Sequence, residues 1–162
     1  MPNPTAIKEH KKTLELELYW WLSAGLIGIL VIAPILLNTA TFPFSLSNVL
    51  YVVAFLTLTR YIFLLRYTWF ARKEVIKIVM VFLCIPVAFL AIQELNLFQT
   101  FLDENGTEAL VGNGLPLKKR ESLGKYIHSE ILLFGVGTIV SSVILPFRLI
   151  LSIWRGRNTG GI

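Results

Sequence analysis

Four residues along the last long apolar stretch have the types and spacing of a functional or packing face. They are Glu130, Gly137, Ser141 and Arg148. A helix advances about 100° per residue, which places these positions on one side. Because lipid gives polar groups no hydrogen-bonding partner, we expect this side to face protein. The favoured interpretation is a packing seam against another helix, and a lined pathway with Glu130 near its outer end is the alternative.

Arg60 is a second candidate, because it lies just past the middle of another apolar stretch. An arginine at that depth of a bilayer costs about 3 kcal/mol on insertion scales, so it commonly has a partner or a function. The long side chain can also reach toward the nearer membrane surface. We expect a structural ion pair or this snorkelling arrangement ahead of direct contact with a substrate or ion.

A third group is an acid–histidine set at the predicted outer ends of two helices. Glu94 lies near the end of the third apolar stretch, while His128 and Glu130 lie near the start of the fourth. Brought together, such groups can transfer protons or hold a cation. The favoured alternative is that they lie at the wet interface without a special role.

The chain lacks the residue patterns of catalytic, metal or cofactor sites. It has one cysteine, Cys84, and two histidines, of which His10 lies in a different segment from His128. That separation excludes a bis-histidine haem. No nucleophile–base pair, phosphate-binding loop or metal-spaced Cys/His cluster occurs. We therefore predict no catalytic residues, no metal and no cofactor, in a protein that is not an enzyme.

The composition places these candidates in a membrane protein. Of the 162 residues, 55% are hydrophobic and 15% are charged, whereas soluble domains carry about 25% charged residues. A bilayer core about 30 Å thick needs about 20 apolar residues per helix. The apolar stretches lack the two-residue alternation of barrel strands, which favours helices. We predict an all-α membrane protein with four transmembrane helices, at about 19–37, 47–70, 75–97 and 126–147.

The remaining segments are polar. Residues 1–18 form a lead-in, residues 98–125 form an outer loop, and residues 155–162 form a basic, glycine-rich tail. The sequence Gly-Asn-Gly at 112–114 predicts a small hairpin within the outer loop. The last apolar stretch is longer than one span requires, so it either tilts as a single helix or breaks at Pro146.

The distribution of lysine and arginine predicts the orientation. Ten of these residues lie on the side of the two termini and four lie in the outer loop, so the positive-inside rule places both termini in the cytoplasm. Anionic headgroups account for the net charge of +5 without a nucleic-acid partner. The compact loops favour the cytoplasmic membrane of a bacterium. The ten are Lys8, Lys11, Lys12, Arg66, Arg72, Lys73, Lys77, Arg148, Arg155 and Arg157, and the four are Lys118, Lys119, Arg120 and Lys125.

The leading functional hypothesis is a non-catalytic integral membrane subunit or accessory protein that packs against other membrane chains or against itself. It depends on the small and polar stripe of the fourth span and on the lack of catalytic patterns. One alternative is a small oligomeric channel or transporter lined by Glu130, Ser141 and Arg60. The other is a membrane sensor that reads a signal through the outer loop 98–125.

Overall fold

The computed structural model describes residues 4–39, 42–68, 71, 73–111 and 114–158, with side chains described at Lys11 and from Leu14 onward. Within this part of the chain every regular element is helical, and each of the four α-helices is long and apolar enough to cross a membrane. These observations confirm the predicted all-helical fold with four candidate spans. The α-helices are α1 (Pro4–Asn38), α2 (Ser45–Leu64), α3 (Glu74–Asn105) and α4 (Leu117–Asn158), with short 3-10 turns at Leu65–Tyr67 and Thr107–Leu110.

The helices run up and down in sequence order. Glu74 at the start of α3 pairs with Arg157 at the end of α4, with 3.1 Å between Oε2 and Nη2. Glu17 in the first half of α1 pairs in the same way with Arg60 near the end of α2. The starts of α1 and α3 therefore lie beside the ends of α2 and α4. We call this the termini end of the bundle, and the opposite end, with the α1–α2 and α3–α4 connections, the loop end.

α4 is the central helix, because it packs along both α2 and α3. One set of its buried positions alternates at intervals of four and three residues, which is the spacing of a single helix face. The residues of this face are Ile127, Ile131, Phe134, Thr138, Ser141 and Leu145. The sequence of α4 thus provides one continuous contact surface for two neighbouring helices.

Hydrogen bonds between side chains and backbone tie the helices together. Tyr51 Oη of α2 donates to the carbonyl oxygen of Ala91 in α3 at 2.9 Å. Thr138 Oγ1 of α4 donates back to the carbonyl oxygen of Tyr51 at 3.2 Å. α1 packs mainly on α2 and is reached from α4 by Tyr126, whose hydroxyl donates to the carbonyl oxygen of Val31 at 2.8 Å. Such bonds satisfy polar groups that lipid leaves without partners.

The buried apolar residues form two clusters. The smaller one lies toward the termini end and consists of Leu58, Leu65, Cys84, Leu145 and Leu149. The larger one lies toward the loop end, where residues of the two connections close over the helices. Its connection residues are Phe42, Leu110 and Val111, and its helix residues include Ile35, Tyr51, Val52, Phe98, Ile127 and Ile131. The loop end is therefore capped by apolar side chains.

Proline does not break any of the long helices. Pro34, Pro86 and Pro146 all lie inside continuous α-helix. Of the two alternatives for the last apolar stretch, a single long helix is the one observed. Leu145 and Leu149, on either side of Pro146, are fully buried, and this packing holds the helix together although proline removes one of its hydrogen bonds.

The polar segments contain more helix than their composition suggests. α1 already begins at Pro4, so the lead-in 1–18 is continuous with the first span. Most of the outer loop 98–125 also belongs to α3, α4 or the 3-10 turn between them. Gly106 ends α3 with a φ of 75°, which favours glycine, and its N–H donates to the Leu102 carbonyl oxygen at 2.8 Å. The predicted hairpin tip at 112–113 lies outside the described residues.

The contact of Gly124 with the 3-10 turn gives a test of the loop-end packing. A Cβ at this position would lie 2.6 Å from the backbone carbonyl oxygen of Thr107. We expect Gly124→Ala to lower the free energy of unfolding by about 1–3 kcal/mol, because a backbone atom cannot move aside easily. Thermal melting in a mild detergent measures the change. Gly156→Ala is the control, since a Cβ there meets no atom of the described chain within 4 Å, and a comparable loss in that variant would contradict the assignment.

Candidate functional site

Arg60 is buried in a polar and aromatic pocket between α1 and α2. Only 4% of its side chain is exposed, and Nη2 lies 3.2 Å from Oε1 of Glu17. The rings of Trp20, Trp21 and Tyr61 surround the guanidinium carbon, with their centroids at 5.7, 5.7 and 5.9 Å. A carboxylate together with aromatic faces offsets the desolvation of an arginine. The side chain is therefore held inside the protein.

The local sequence of α1 explains how this pocket forms. Glu17, Trp20 and Trp21 lie three and four residues apart, which brings their side chains to neighbouring positions on one helix surface. They stand where the polar lead-in meets the first apolar stretch, opposite the last turns of α2. The ion pair and the rings thus fasten α1 to α2 at the termini end. This arrangement agrees with a structural role for Arg60, with Glu17 as the partner that sequence reasoning did not name.

A second polar group lies between α2 and α4 near the loop end. Glu130 is 4% exposed and Asn48 is 1% exposed. The side-chain amide of Asn48 lies next to the Glu130 carboxyl group. Nevertheless both carboxyl oxygens and both amide atoms lack a hydrogen bond of good geometry to any described residue. Each buried polar atom without a partner costs about 1–3 kcal/mol, so four such atoms side by side require an explanation.

The surroundings of this pair are apolar. Ile127 and Ile131 flank Glu130 along α4 and belong to the larger core cluster. Phe42 and Leu110 add the side chains of the two loop-end connections to the same cluster. The carboxyl group of Glu130 is therefore enclosed by protein. It lies toward the loop end of the bundle, where the sequence predicts a wet interface.

The remaining residues of the predicted stripe face α2 of the same chain. A Cβ at Gly137 would lie 2.7 Å from the ring of Phe55, so the glycine allows close approach of the two helices. Ser141 is buried, and Arg148 Nε donates to the carbonyl oxygen of Ile62 at 3.2 Å. Gly137 and Arg148 thus contact α2 within the chain. Gly137 and Ser141 also line an open groove between Phe55 and α4.

Glu94 and His128 do not join Glu130 in one cluster. Ser47 Oγ donates to Oε2 of Glu94 at 2.7 Å, which links α2 to α3. The His128 ring lies 6.2 Å from the ring of Phe98. Residues two apart in a helix point to nearly opposite sides, so His128 meets α3 while Glu130 meets α2. The three side chains of the predicted outer set thus have different neighbours.

The structure adds two functional candidates, Asn48 and Lys77, that the sequence analysis did not single out as site residues. Asn48 is the one asparagine of the second apolar stretch, and it precedes the buried Tyr51 and Val52 by three and four residues. In a helix this spacing places Asn48 on the same face as Tyr51 and Val52, which is the sequence signal that its side chain is buried. Lys77 is 5% exposed, and its Nζ donates to Ser152 Oγ at 3.0 Å. Its partner lies on α4, beyond the reach of local pattern analysis.

The site offers a charged pair and an unpaired acid–amide contact, rather than a catalytic constellation. Among the described residues no group of three or more His, Cys, Asp or Glu side chains is arranged to hold a metal ion. The chain matches no protein-family model, no curated protein and no solved structure.

The Arg60–Glu17 pair predicts a strong energetic coupling. We expect Glu17→Gln or Arg60→Met alone to lower the free energy of unfolding by about 3 kcal/mol, because each removes one member of a largely buried ion pair. The double variant should lose less than the sum of the two. Melting of all four proteins in one detergent gives the coupling energy, and Glu15→Gln is the control because Glu15 is exposed. Additive losses would contradict the pairing.

Proposed function

We propose that this chain is a non-catalytic integral membrane subunit that packs against a transmembrane helix of another membrane chain. The observation that carries this proposal is an open apolar groove between α1 and α2, with a volume of about 490 Å³. Trp20 and Trp21 line one end of the groove, and Leu36 and Leu37 line the other. The groove therefore extends over 18 residues of α1, 20–37, or about 26 Å, which is close to the thickness of a bilayer core.

Small residues on α1 make the groove suited to a helix. Ala24, Gly25, Gly28 and Ala33 all line it. A Cβ on Gly28 would lie 3.7 Å from Val52, so this glycine serves the contact with α2, whereas a Cβ on Gly25 would meet nothing within 4 Å of the described chain. Glycine costs about 1 kcal/mol relative to alanine inside a helix. An open glycine in a span thus favours close approach of a helix from another chain.

The chemistry of the groove favours a helix over a polar ligand. Apolar side chains line nearly all of it, and only Trp20, Trp21 and Thr57 carry polar side-chain atoms, so it offers few hydrogen bonds to a charged or polar molecule. In lipid, helices associate through close packing of small residues. α1 is also the helix with the fewest contacts to α4, the centre of the bundle. A partner helix in the groove would contact α1 and α2 together and complete the packing of α1.

We further propose that the termini end faces the cytoplasm of a bacterial cell. Seven of the described lysine and arginine side chains lie toward this end: Lys11, Arg66, Lys73, Lys77, Arg148, Arg155 and Arg157. The loop end has four: Lys118, Lys119, Arg120 and Lys125. The excess of cations at the termini end supports cytoplasmic termini by the positive-inside rule.

The channel or transporter alternative has less support from the geometry. Arg60 is paired with Glu17, and Glu130 and Ser141 are both buried within the bundle. A polar pathway lined by these residues would require the α2–α4 contact to open. The sensor alternative has no specific observation in its favour, since the described part of the α3–α4 connection is short and largely packed on α4.

The groove can be tested with a photoreactive amino acid at position 25. We expect illumination of native membranes to join it to one protein of defined mass. The same amino acid in place of Phe89, which is 71% exposed on α3, is the control and should react with lipid. Gly25→Leu, which fills the groove, should reduce co-purification of the joined protein at least tenfold. A product of two copies of this chain would assign the groove to self-association, and lipid adducts alone at position 25 would overturn the proposal.

The orientation can be tested by cysteine labelling in a Cys84→Ser background. We expect Arg155→Cys to react with a membrane-impermeant maleimide only after the cells are permeabilised. Lys119→Cys should react in intact cells, because Lys119 is exposed at the loop end. The reverse pattern of labelling would place the termini outside.

A further inference from the structure

The unpartnered contact between α2 and α4 carries an inference beyond the proposed docking of a partner helix. We propose that Glu130 and Asn48 form a proton-binding site inside the membrane-spanning bundle, with Glu130 held as the neutral carboxylic acid. The ligand of this site is a proton from the aqueous phase, which converts the Glu130 carboxylate to the acid. The site is distinct from the Arg60–Glu17 pair and from the groove between α1 and α2.

Hydrogen-bond capacity is the first argument. An ionised carboxylate only accepts hydrogen bonds, so it can use one Asn48 N–H but leaves the Asn48 carbonyl oxygen without a donor. The neutral acid has an O–H that can donate to Asn48 Oδ1 while Asn48 Nδ2 donates to the Glu130 carbonyl oxygen. The two groups lack this geometry in the structure, so a rotation of one side chain has to bring them together, after which the two bonds satisfy all four side-chain atoms. The pair is therefore complementary only when Glu130 carries a proton.

The second argument is the lack of a neutralising charge among the described residues. The acids of the four described ion pairs are Glu17, Glu108, Glu121 and Glu74, and both Glu130 carboxyl oxygens lack a hydrogen-bond partner among the described residues. Arg60 lies twelve residues beyond Asn48 on α2, or about 18 Å along the helix. An ionised Glu130 would thus be a buried charge without a counter-ion, which is a costly state inside a membrane protein.

The other titratable groups around the pair are engaged elsewhere. On α2, the Tyr51 hydroxyl donates to the Ala91 carbonyl oxygen. On α3, Glu94 accepts from Ser47. On α4, Tyr126 donates to a carbonyl oxygen of α1, and His128 lies against Phe98. No titratable α1 side chain is described on this side of the bundle, where Val31 and Ile35 contribute apolar surface.

A metal cation fits the site less well than a proton. Oxygen-liganded cations such as Ca²⁺ and Mg²⁺ take about six ligands. The two side chains supply three oxygens, and the described residues contain no group of three or more potential metal-binding side chains. A proton needs only one carboxyl oxygen to bind to and one acceptor for the resulting O–H. Glu130 supplies the first and Asn48 Oδ1 the second.

Infrared difference spectroscopy of the intact chain in lipid vesicles tests the proposal. At neutral pH we expect the wild type to show the C=O band of a protonated carboxylic acid. Glu130→Gln, which keeps the shape of the side chain, should lose this band, and Asn48→Leu should shift it by removing the amide partner. Glu94→Gln is the matched control and should leave the band unchanged. Identical spectra for the wild type and Glu130→Gln would show that Glu130 is ionised and would overturn the proposal.

The pH dependence of stability provides a second measurement. The folded chain would hold a proton that the unfolded chain releases at neutral pH, so stability should fall as the pH rises. Between the pH at which an ordinary glutamate ionises, about 4.3, and the higher pH at which folded Glu130 loses its proton, the unfolding equilibrium constant of the wild type should increase by up to about tenfold per pH unit relative to Glu130→Gln. Equal pH dependence in both proteins would contradict a bound proton at Glu130.

Discussion

The packing of α4 against two neighbours is the interaction on which the rest of the structure depends. Its buried face repeats at intervals of four and three residues and meets α2 on one side and α3 on the other. Gly137 permits close approach to Phe55, and Thr138 donates to the backbone of Tyr51. Because lipid offers no hydrophobic driving force between helices, close packing and hydrogen bonds of this kind must hold them together. α2 and α3 owe their relative position largely to α4.

Lipid also offers no hydrogen-bonding partners, which explains why most buried polar side chains of this chain have a partner within the protein. Arg60 has a carboxylate and three aromatic rings around it, and the Tyr51 hydroxyl reaches a backbone carbonyl oxygen. Glu130 and Asn48 stand apart from this pattern, since they are equally buried yet lack good hydrogen bonds to the described residues. In the proposed protonated state one Glu130 oxygen becomes a hydrogen-bond donor, so the carbonyl oxygen of the Asn48 side chain can have a partner. The two polar sites therefore follow one physical rule.

The position of α1 connects the fold to the proposed function. It is fastened at the termini end by Glu17 and near the loop end by Tyr126, and between these points Gly28 approaches Val52. The other side of α1 remains open along the groove, where Gly25 has no neighbour in the described chain. An anchored helix with an open, small-residue surface is suited to receive another helix without disturbing the α2–α3–α4 core.

The class of protein and the number of candidate spans could be predicted from the amino-acid sequence, because apolar length and composition are local properties that lipid selects directly. The sequence also singled out Arg60 and Glu130, since charges within apolar stretches are rare for energetic reasons. Their partners, Glu17 and Asn48, could not be predicted in this way, because contacts between helices depend on the rotation and register of each helix against its neighbours, which no single segment encodes. Only the tertiary structure decided that the helix continues through Pro146, where packing on both sides of the proline outweighs the lost hydrogen bond.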